Sequence, residues 1–273
     1  MTAPNVSNPT RSAATANQVR LPRTAALGPG RGEQPRLLID APAGAAEIYL
    51  HGATVTSWVP RGGAEVIFTS RQAVFDGATA IRGGIPLCLP EFGAGINGDA
   101  VPKHGWARIA PWRLRTVTST DDGGVRALLS VSRDHLTALC EIQIGETLRL
   151  GLSLRNDGTE PRTVEAAAHT YLSVHDVTAS LVSGLAGASY SDNLARSPQE
   201  LRQVQDGDVR ITGPVDRIYD SAEPVTVTDP GHRRAIHIDK RNAPSTIVWN
   251  PWSTYSAPLP DMADDEFPTM VCV

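Results

Sequence analysis

The sequence predicts an all-β fold, a sandwich or a barrel, on three observations. Leu148, Leu150, Leu152 and Leu154 alternate with small or polar residues, which is the two-residue period of a half-buried strand. Turn-forming residues recur at short intervals along the chain, and no segment of ordinary helix length shows an amphipathic helical pattern. Short strands separated by frequent turns are typical of sandwiches and barrels and disfavour alternating βα units.

Further elements are predicted in order along the chain. Apolar and β-branched runs predict strands at residues 125–131, 163–168 and 246–249. Asp121-Asp122-Gly123-Gly124 predicts a hairpin turn before the first of these strands. Asn156-Asp157-Gly158 predicts a turn directly after the leucine-rich strand.

The composition divides the chain into two parts. Residues 1–33 are rich in Ala, Thr, Asn, Pro, Gly and Arg and contain almost no large apolar side chains, so they are predicted to form a disordered tail. Residues 34–273 show no clear compositional break and are long enough to bury a sizeable core, so we expect a single domain there.

Charge and cysteine content exclude several classes of partner. The formal net charge of −4 gives no overall basic field for binding nucleic acid or an anionic membrane. The three cysteines have neither metal-ligand spacing nor a disulfide framework, so we expect reduced thiols. No apolar run approaches the roughly 20 residues of a membrane span, and the N-terminal region lacks the apolar stretch of a signal peptide. A cytoplasmic location is therefore expected.

Two neighbouring segments, residues 81–93 and 103–108, combine rigid turns with polar side chains. Glycines and prolines at this density exclude a helix or a central strand. The turns bring Arg82, Lys103, His104 and Arg108 close together in sequence. Guanidinium groups match phosphate oxygens, and imidazole exchanges protons near neutral pH, so these residues predict a site for an anionic, hydroxyl-rich ligand.

Two of the seven histidines are candidates for chemistry. His104 lies in the turn-rich block, and His169 follows three alanines at the end of a small-residue strand. The residues alone leave both roles open, since a lone histidine is usually structural. The sequence contains no Cys-x-x-Cys, no His-x-x-x-His and no Gly-x-Gly-x-x-Gly followed by a helix pattern, so neither a cofactor nor a metal is expected.

Seven segments also carry a family resemblance, in the same order as in that family. They are residues 52–58 (GATVTSW), 82–93, 104–108 (HGWAR), 169–172 (HTYL), 215–219 (VDRIY), 249–252 (WNPW) and 270–273 (MVCV). The chain resembles the hexose-6-phosphate mutarotases (glucose-6-phosphate 1-epimerases), a branch of the aldose 1-epimerase family, from about residue 36 to residue 273.

The resemblance implies a large antiparallel β-sandwich, the galactose mutarotase-like supersandwich, with a sugar site in a cleft over one concave sheet. It implies an isomerase that interconverts the α and β anomers of a hexose 6-phosphate, with glucose 6-phosphate as the leading substrate. We expect a monomer that uses no cofactor and binds no nucleic acid and no membrane.

The resemblance also implies roles for individual residues. His169 would be the general acid, and His104 would bind and polarise the sugar. Arg82 and Arg108 match arginines at the family's ligand site and would hold the phosphate. For Arg108 the alternative is a structural salt bridge that holds the loop. Asp216 is a further candidate that would contact the sugar hydroxyls, although an aspartate in this position could instead hold a turn. Trp249 would contact the pyranose ring, or it could simply belong to the hydrophobic core.

The family's general base is a glutamate after a C-terminal strand that corresponds here to Val271-Cys272-Val273. The printed sequence stops at Val273, which leaves three explanations open: a shortened sequence, a non-catalytic sugar-phosphate binding protein, or a substitute base. The candidate substitutes are Glu91, Asp261, Asp264, Asp265 and Glu266. The cluster from Asp261 to Glu266 is expected to form a solvated loop. A mutarotase for unphosphorylated aldoses is the remaining alternative, and Arg82 and Arg108 argue against it.

Overall fold

The structure is a computed structural model that describes residues 19–273. The strands in the first half of the chain are β1 (Ala25–Pro29), β2 (Pro35–Ala41), β3 (Gly44–Tyr49), β4 (Thr54–Pro60), β5 (Leu87–Cys88), β6 (Arg113–Ser119), β7 (Val125–Arg133), β8 (Leu136–Ile144) and β9 (Leu148–Asn156). The strands in the second half are β10 (Ala167–Ala168), β11 (Tyr171–Ser173), β12 (Leu181–Ser183), β13 (Ser189–Asp192), β14 (Arg202–Val204), β15 (Val209–Arg210), β16 (Val215–Tyr219), β17 (Val225–Asp229), β18 (Arg234–Ile238), β19 (Thr246–Asn250) and β20 (Met270–Cys272).

Helices are few and short in the described part of the chain. They are α1 (Pro198–Leu201), α2 (Trp252–Ser256) and three 3-10 turns at Arg31–Glu33, Ala107–Ile109 and Phe267–Thr269. The prediction of an all-β fold is therefore confirmed. Among residues 19–273, none of the helices has the length and apolar character that a membrane crossing requires.

The strands form five antiparallel sheets in the described residues. Two four-stranded sheets follow the order of the chain, β1-β2-β3-β4 and β6-β7-β8-β9. A six-stranded sheet has the order β11-β20-β19-β16-β13-β14, and a four-stranded sheet has the order β15-β12-β17-β18. A two-stranded ladder joins β5 and β10. Only the six-stranded sheet inserts the last strand of the chain between two earlier strands, and this insertion assembles the candidate site.

The sheet β6–β9, called the meander below, has the regularity that its sequence predicts. In β8 every second side chain is buried, from Leu136 to Ile144, and in β9 the leucines alternate with more exposed residues. The predicted turn at residues 121–124 joins β6 to β7, where Gly123 adopts a φ of 81°. The predicted strands at 125–131 and 246–249 are confirmed as β7 and β19.

The turn between β7 and β8 is a feature that the sequence did not predict. Arg133 pairs with Leu136, so the loop has only two residues, Asp134 and His135, and both have positive φ (50° and 59°). A two-residue hairpin loop with positive φ at both positions matches the right-handed strand twist. Asn-Gly and Asp-Gly are the usual sequence signals for this turn, and Asp-His is not among them.

The prediction of a disordered tail over residues 1–33 is wrong for residues 19–33; residues 1–18 lie outside the described part. Strand β1 pairs with β2 over five residue pairs. The backbone N–H of Arg31 donates to the Tyr49 hydroxyl (2.8 Å), and its guanidinium lies 4.3 Å from the centre of the Phe75 ring. Backbone pairing and one anchored arginine therefore order a segment that has few large apolar side chains.

The predicted strand at 163–168 is also mostly wrong, since only Ala167–Ala168 forms a strand. Pro86 directly precedes its partner β5, Pro90 lies two residues after it, and neither proline has an N–H to donate to a ladder. The pairing therefore ends after two residues. The interpretation of residues 34–273 as a single domain stays a prediction.

Candidate active site

The segment around His104 is a tight turn that requires glycine at position 105. His104 and Gly105 both have positive φ (66° and 69°). A side chain at Gly105 would place its Cβ 2.2 Å from the carbonyl oxygen of Leu89, so glycine is required by close backbone approach. The positive φ of His104 is strained for a non-glycine residue, and such strain is typical of functional positions.

Hydrogen bonds to Gly93 fix the ring of His104. The backbone N–H of His104 donates to the Gly93 carbonyl (2.7 Å), and the Gly93 N–H donates to His104 Nδ1 (3.1 Å). Because Nδ1 accepts a hydrogen bond, the neutral ring carries its proton on Nε2. His104 is therefore oriented as a hydrogen-bond donor through Nε2.

His169 lies between β10 and β11 in an aromatic cluster. Its backbone N–H donates to the carbonyl of Pro86 (3.0 Å). Its ring stacks on Tyr171 (centroids 4.9 Å apart, planes 21° apart) and meets the edges of Trp249 (5.7 Å) and His104 (6.1 Å). Part of the residue stays accessible, but Nδ1 is buried and has no hydrogen-bond partner among the described residues. The structure thus brings the two predicted histidines together.

The environment keeps both imidazoles neutral in the ligand-free protein. Burial, then the positive field of Arg108, Lys103 and Arg82, lowers the pKa of His104 to about 4. Burial, then the field of His104, Arg82 and Arg108, lowers the pKa of His169 to about 3. Strongly perturbed histidines that face each other beside arginines are characteristic of active sites.

Arg82 reaches the site but is held by two partners. Its Nε donates to Asp261 Oδ1 (3.1 Å), and its Nη1 donates to the Tyr171 hydroxyl (3.2 Å). Burial acts to lower the pKa of Arg82, but Tyr171 and Asp261 outweigh it, and the pKa lies above its ordinary value.

The glycines beside Arg82 are required by close contacts with neighbouring backbone. A Cβ at Gly83 would lie 2.5 Å from the Cα of Thr69, and one at Gly84 would lie 2.6 Å from the Val55 carbonyl oxygen. These glycines allow neighbouring backbones to approach.

Arg108 has fewer partners than Arg82. Its Nη2 donates to the carbonyl of Lys103 (2.9 Å), and its Nε is buried without a partner among the described residues. Burial lowers the pKa of Arg108, although Cys88 and Tyr171 act in the opposite direction. Its contact with Lys103 lies within the same loop, and the choice between a phosphate contact and a structural role stays a prediction.

A cavity of about 480 Å³ opens beside these groups. Its walls include four residues singled out from the sequence, which are Arg82, Lys103, Asp216 and Trp249. Its remaining walls are formed by Leu194, Val215, Asn250, Pro251, Tyr255, Pro258 and Leu259. Trp249 links the cavity to His169, because the Trp249 ring contacts both.

Asp216 and Trp249 face each other across paired strands. Asp216 on β16 is the register partner of Trp249 on β19, which in turn pairs with Cys272 on β20. Asn193 donates from Nδ2 to Asp216 Oδ1 (2.9 Å). Burial, with a smaller contribution from the charge of Asp192, raises the pKa of Asp216, while the Asn193 hydrogen bond opposes that rise.

The carboxylates of residues 261–266 differ from the expectation of a solvated loop. Asp264 and Asp265 are exposed, but Asp261 and Glu266 are buried, with 7% and 5% of their surfaces accessible. Asp261 pairs with Arg82, and Glu266 accepts hydrogen bonds from residues 70, 71 and 263. Burial is possible because each carboxylate has cationic or N–H partners. Glu91, the remaining candidate base, is half-buried.

The sequence analysis assigned no role to Tyr171, and it named Asp261 only as a substitute base. Tyr171 stacks on His169 and binds Arg82, and Asp261 is the acid partner of Arg82. Tyr171 follows His169 by two residues at the start of a strand, and this period places both side chains on one face, so the pattern could have identified it. The approach of Asp261 to Arg82 joins positions 179 residues apart, for which the sequence gives no signal.

Comparison with known proteins agrees with this architecture. A solved structure of a putative mutarotase from Salmonella typhimurium superposes with a TM-score of 0.84 at 28% identity, covering 93% of this chain and 86% of that one. A galactose mutarotase-like protein from Clostridium acetobutylicum superposes with a TM-score of 0.63 at 12% identity, covering 91% and 86%, which shows the fold alone. The fold is thus galactose mutarotase-like, and that prediction is confirmed.

Sequence relatives define the family. The family described as Aldose 1-epimerase matches residues 35–273. A protein of Cenchrus ciliaris named "Putative glucose-6-phosphate 1-epimerase" is 32% identical over 247 residues, which cover 84% of this chain and 73% of the relative. A protein of Escherichia coli K12 with the same name is 30% identical, covering 87% and 81%.

The chain belongs to the aldose 1-epimerase family, and it is an epimerase that acts on a sugar. The family resemblance read from the seven sequence segments is therefore confirmed. The roles given to single residues within the site stay predictions.

Proposed function

We propose that the protein interconverts the α and β anomers of a hexose 6-phosphate, with glucose 6-phosphate as its substrate. The observation that carries this proposal is the cavity lined by Arg82, Lys103, Asp216 and Trp249, the last of which contacts His169, one of two adjacent histidines with depressed pKa values. Cations suit a phosphate, whereas a carboxylate and an aromatic face suit the hydroxyls and the ring of a pyranose. The names of the two relatives are consistent with this substrate.

The reaction proceeds by opening the sugar ring. A base removes the proton from the C1 hydroxyl, the protonated form of His169 gives a proton to the ring oxygen O5, and the C1–O5 bond breaks to leave an aldehyde. The C1–C2 bond rotates, and the same steps run in reverse with both protons returned. His104 donates a hydrogen bond from Nε2 to a sugar oxygen, which holds and polarises it.

The phosphate has a second role through its charge. In the free protein burial, and then the positive field around His169, disfavour its protonated form. A bound phosphate monoester carries about −1.5 to −2 charges near neutral pH. This charge offsets the field of Arg82 and Arg108 and raises the pKa of His169, so that more of the imidazole carries the proton that the reaction needs when substrate is bound.

Arg108 and Lys103 are the cations with the most freedom to take the phosphate. Arg82 already has a carboxylate partner, whereas Arg108 has an unpartnered Nε and Lys103 is exposed at the cavity wall. A charge-assisted hydrogen bond contributes about 1.5–3 kcal/mol, so two would distinguish a phosphorylated hexose from a free one.

The base is assigned to a carboxylate. The N–H of Val273 donates to the carbonyl of Thr170 (3.2 Å), so Val273 lies beside the residue that follows His169. A glutamate joined to Val273 would therefore begin next to the proposed acid. Asp261 is the candidate within the printed sequence, because it already lies beside Arg82.

Anomeric exchange of glucose 6-phosphate, followed by NMR, tests the proposal. The 273-residue chain is compared with a copy extended by one glutamate and with buffer. Exchange above buffer in the first protein makes Asp261 the next residue to change. Exchange only in the second identifies the added glutamate as the base. Binding without exchange in both would overturn the proposed activity in favour of a sugar-phosphate binding protein.

Arg108→Ala tests the phosphate contact. We expect kcat/KM for glucose 6-phosphate to fall about 10- to 100-fold, with a much smaller loss for free glucose. Arg149→Ala, at an exposed arginine on β9, is the matched control and should change neither. A wild-type preference for free glucose or galactose would indicate a mutarotase for unphosphorylated aldoses.

The remaining expectations are proposals of the same kind. A reducing compartment such as the cytoplasm fits Cys88, Cys140 and Cys272, which are all unpaired and buried. A monomer that folds as one domain from residue 34 onward is expected to elute near its mass of 29.1 kDa, which light scattering coupled to size-exclusion chromatography would measure.

A further inference from the structure

Glu266 is the most fully hydrogen-bonded carboxylate near the site, although it does not line the cavity. Its Oε2 accepts from the Ser70 hydroxyl (2.7 Å) and the Ala263 N–H (2.9 Å). Its Oε1 accepts from the Arg71 N–H (2.8 Å) and from Arg71 Nε (3.1 Å). Burial pushes the pKa of Glu266 upward, but these donors outweigh it and hold the pKa below its ordinary value.

Four donors leave Glu266 unsuited to act as a base. The two oxygens of a carboxylate together offer about four acceptor positions. All of them are occupied by protein groups here, so no lone pair is free to take a proton from a sugar hydroxyl. The role of Glu266 must therefore be found in what it holds in place.

Glu266 joins the two segments that enclose Arg82. Through Ser70 it holds a residue whose N–H donates to the Arg82 carbonyl (3.0 Å). Through Ala263 it holds the loop that begins at Asp261, whose carboxylate accepts from Arg82 Nε (3.1 Å). Met262, between them, is 1% accessible and packs in the cluster that contains Tyr171, the second partner of Arg82.

We propose that Glu266 is a positioning residue that fixes the Arg82–Asp261 pair at the cavity by clamping residues 70–71 to the loop of residues 261–266. This inference rests on the proposed function, because it concerns the same cavity. The negative charge of the Glu266 carboxylate contributes to this clamp as well as its shape, since all four groups that contact it are hydrogen-bond donors. Glutamine at this position would turn an amide group toward N–H groups and release at least one of them.

A double-mutant cycle tests the inference. We expect Glu266→Gln to raise KM for glucose 6-phosphate about 5- to 20-fold with little change in kcat. The double variant Glu266→Gln/Asp261→Asn should have the same KM as Asp261→Asn alone. Ile142→Ala, at a buried position of the meander, is a control of lowered stability. It should leave KM unchanged and combine additively with Asp261→Asn.

A second measurement does not depend on activity. The Nε–H of Arg82, assigned by its loss in Arg82→Lys, should give a protected NMR signal in the wild type and a weakened one in Glu266→Gln. Retention of that signal and of the wild-type KM, with only a lower Tm, would overturn the inference. If the wild type neither exchanges nor binds glucose 6-phosphate, the proposed function fails, and the Arg82 signal still decides the inference.

Ser70→Ala is the milder variant if Glu266→Gln does not fold. It removes one donor to Glu266 and keeps the carboxylate. The expected rise in KM for glucose 6-phosphate is about 2- to 5-fold, with a partial loss of the Arg82 signal. No change in either would also overturn the proposal.

Discussion

The meander β6–β9 and the six-stranded sheet are made of the same kind of strand but are assembled differently. In the meander, each strand pairs with the next one in sequence, and β7–β8 and β8–β9 keep register over nine residue pairs. In the six-stranded sheet, β20 pairs with β11 over three residues and with β19 at one, across long stretches of chain.

The two regions also differ in how completely their polar groups are paired. Among the described residues, five buried side-chain atoms lack a hydrogen-bond partner, and three of them belong to Trp106, Arg108 and His169. None belongs to the meander. Because unpaired buried polar groups cost free energy, the site keeps groups that a ligand can satisfy, while the meander contributes stability. Substitutions in the site should therefore change activity or substrate affinity, and substitutions in the meander should change the free energy of unfolding.

The largest expected effect is that of His169→Ala. If His169 is the acid, its removal should lower kcat for glucose 6-phosphate exchange by about 10²–10⁴-fold. The binding affinity should change little, because the cavity cations stay in place. NMR exchange and a binding titration measure the two quantities separately. Unchanged turnover would remove His169 from the mechanism.

Ile142→Ala should have the opposite pattern. Ile142 lies on β8 with none of its surface accessible, and truncating a core residue of this kind costs about 2–5 kcal/mol of unfolding free energy. KM and the preference for the phosphorylated sugar should remain at wild-type values in the folded fraction. Urea denaturation with parallel kinetics would check this, and a shifted KM would show that the regions are coupled.

Arg82→Ala should lower both the stability of the fold and the affinity for the phosphorylated sugar. Its loss leaves Asp261 without a cation, and since a quarter of the Arg82 side chain is accessible, we expect a cost of about 2 kcal/mol, less than for a fully buried pair. Affinity for glucose 6-phosphate should fall much more than affinity for glucose. Equal losses for the two sugars would make Arg82 purely structural.

The smallest expected effect is a pH dependence of stability that originates at His169. The pKa of His169 is depressed to about 3 in the folded protein, against about 6.5 for an unperturbed histidine. The unfolded chain therefore binds more protons between these values, and stability is present above about pH 6.5 and lost as the pH falls toward 3. Since His169 is partly accessible, solvent screening reduces its contribution, and we expect a loss of about 1 kcal/mol between pH 7 and pH 4.

Denaturation curves at several pH values would measure this loss. His169→Gln should reduce the slope, because glutamine does not titrate, while His104, whose pKa is lowered to about 4, keeps the rest of it. Ile142→Ala should instead lower stability by a similar amount at every pH and keep the wild-type slope. A wild-type slope in His169→Gln would place its origin at other groups.

The same contrast explains what the sequence predicted. Leu148 to Leu154 and the Asp121–Gly124 turn are local signals, so the meander followed from periodicity and turn chemistry. The one feature of the meander that was not predicted is the two-residue loop at Asp134. The strand register requires positive φ at both loop residues, and Asp-His is not a sequence signal for that conformation.

The sequence indicated candidate positions for the site but not the contacts between them. His104, His169 and Arg82 came from motifs, which identify positions without their partners. The burial of Asp261 and Glu266 depends on Arg82, Ser70 and Arg71 arriving from far away in sequence. Charge clustering alone therefore predicted a solvated loop, because the local sequence contains no information about hydrogen-bond donors that are distant in the chain.

The position of β20 has a consequence for the order in which the molecule is built. During synthesis all strands of the meander leave the ribosome before residue 157, and they can pair with neighbours already present. In the described residues, backbone pairing joins the strand that carries Tyr171 to the strand that carries Trp249 through residues 270–272. Pairing across such sequence distances is slow relative to local hairpins. A nascent chain can thus acquire a folded scaffold well before it acquires a working site.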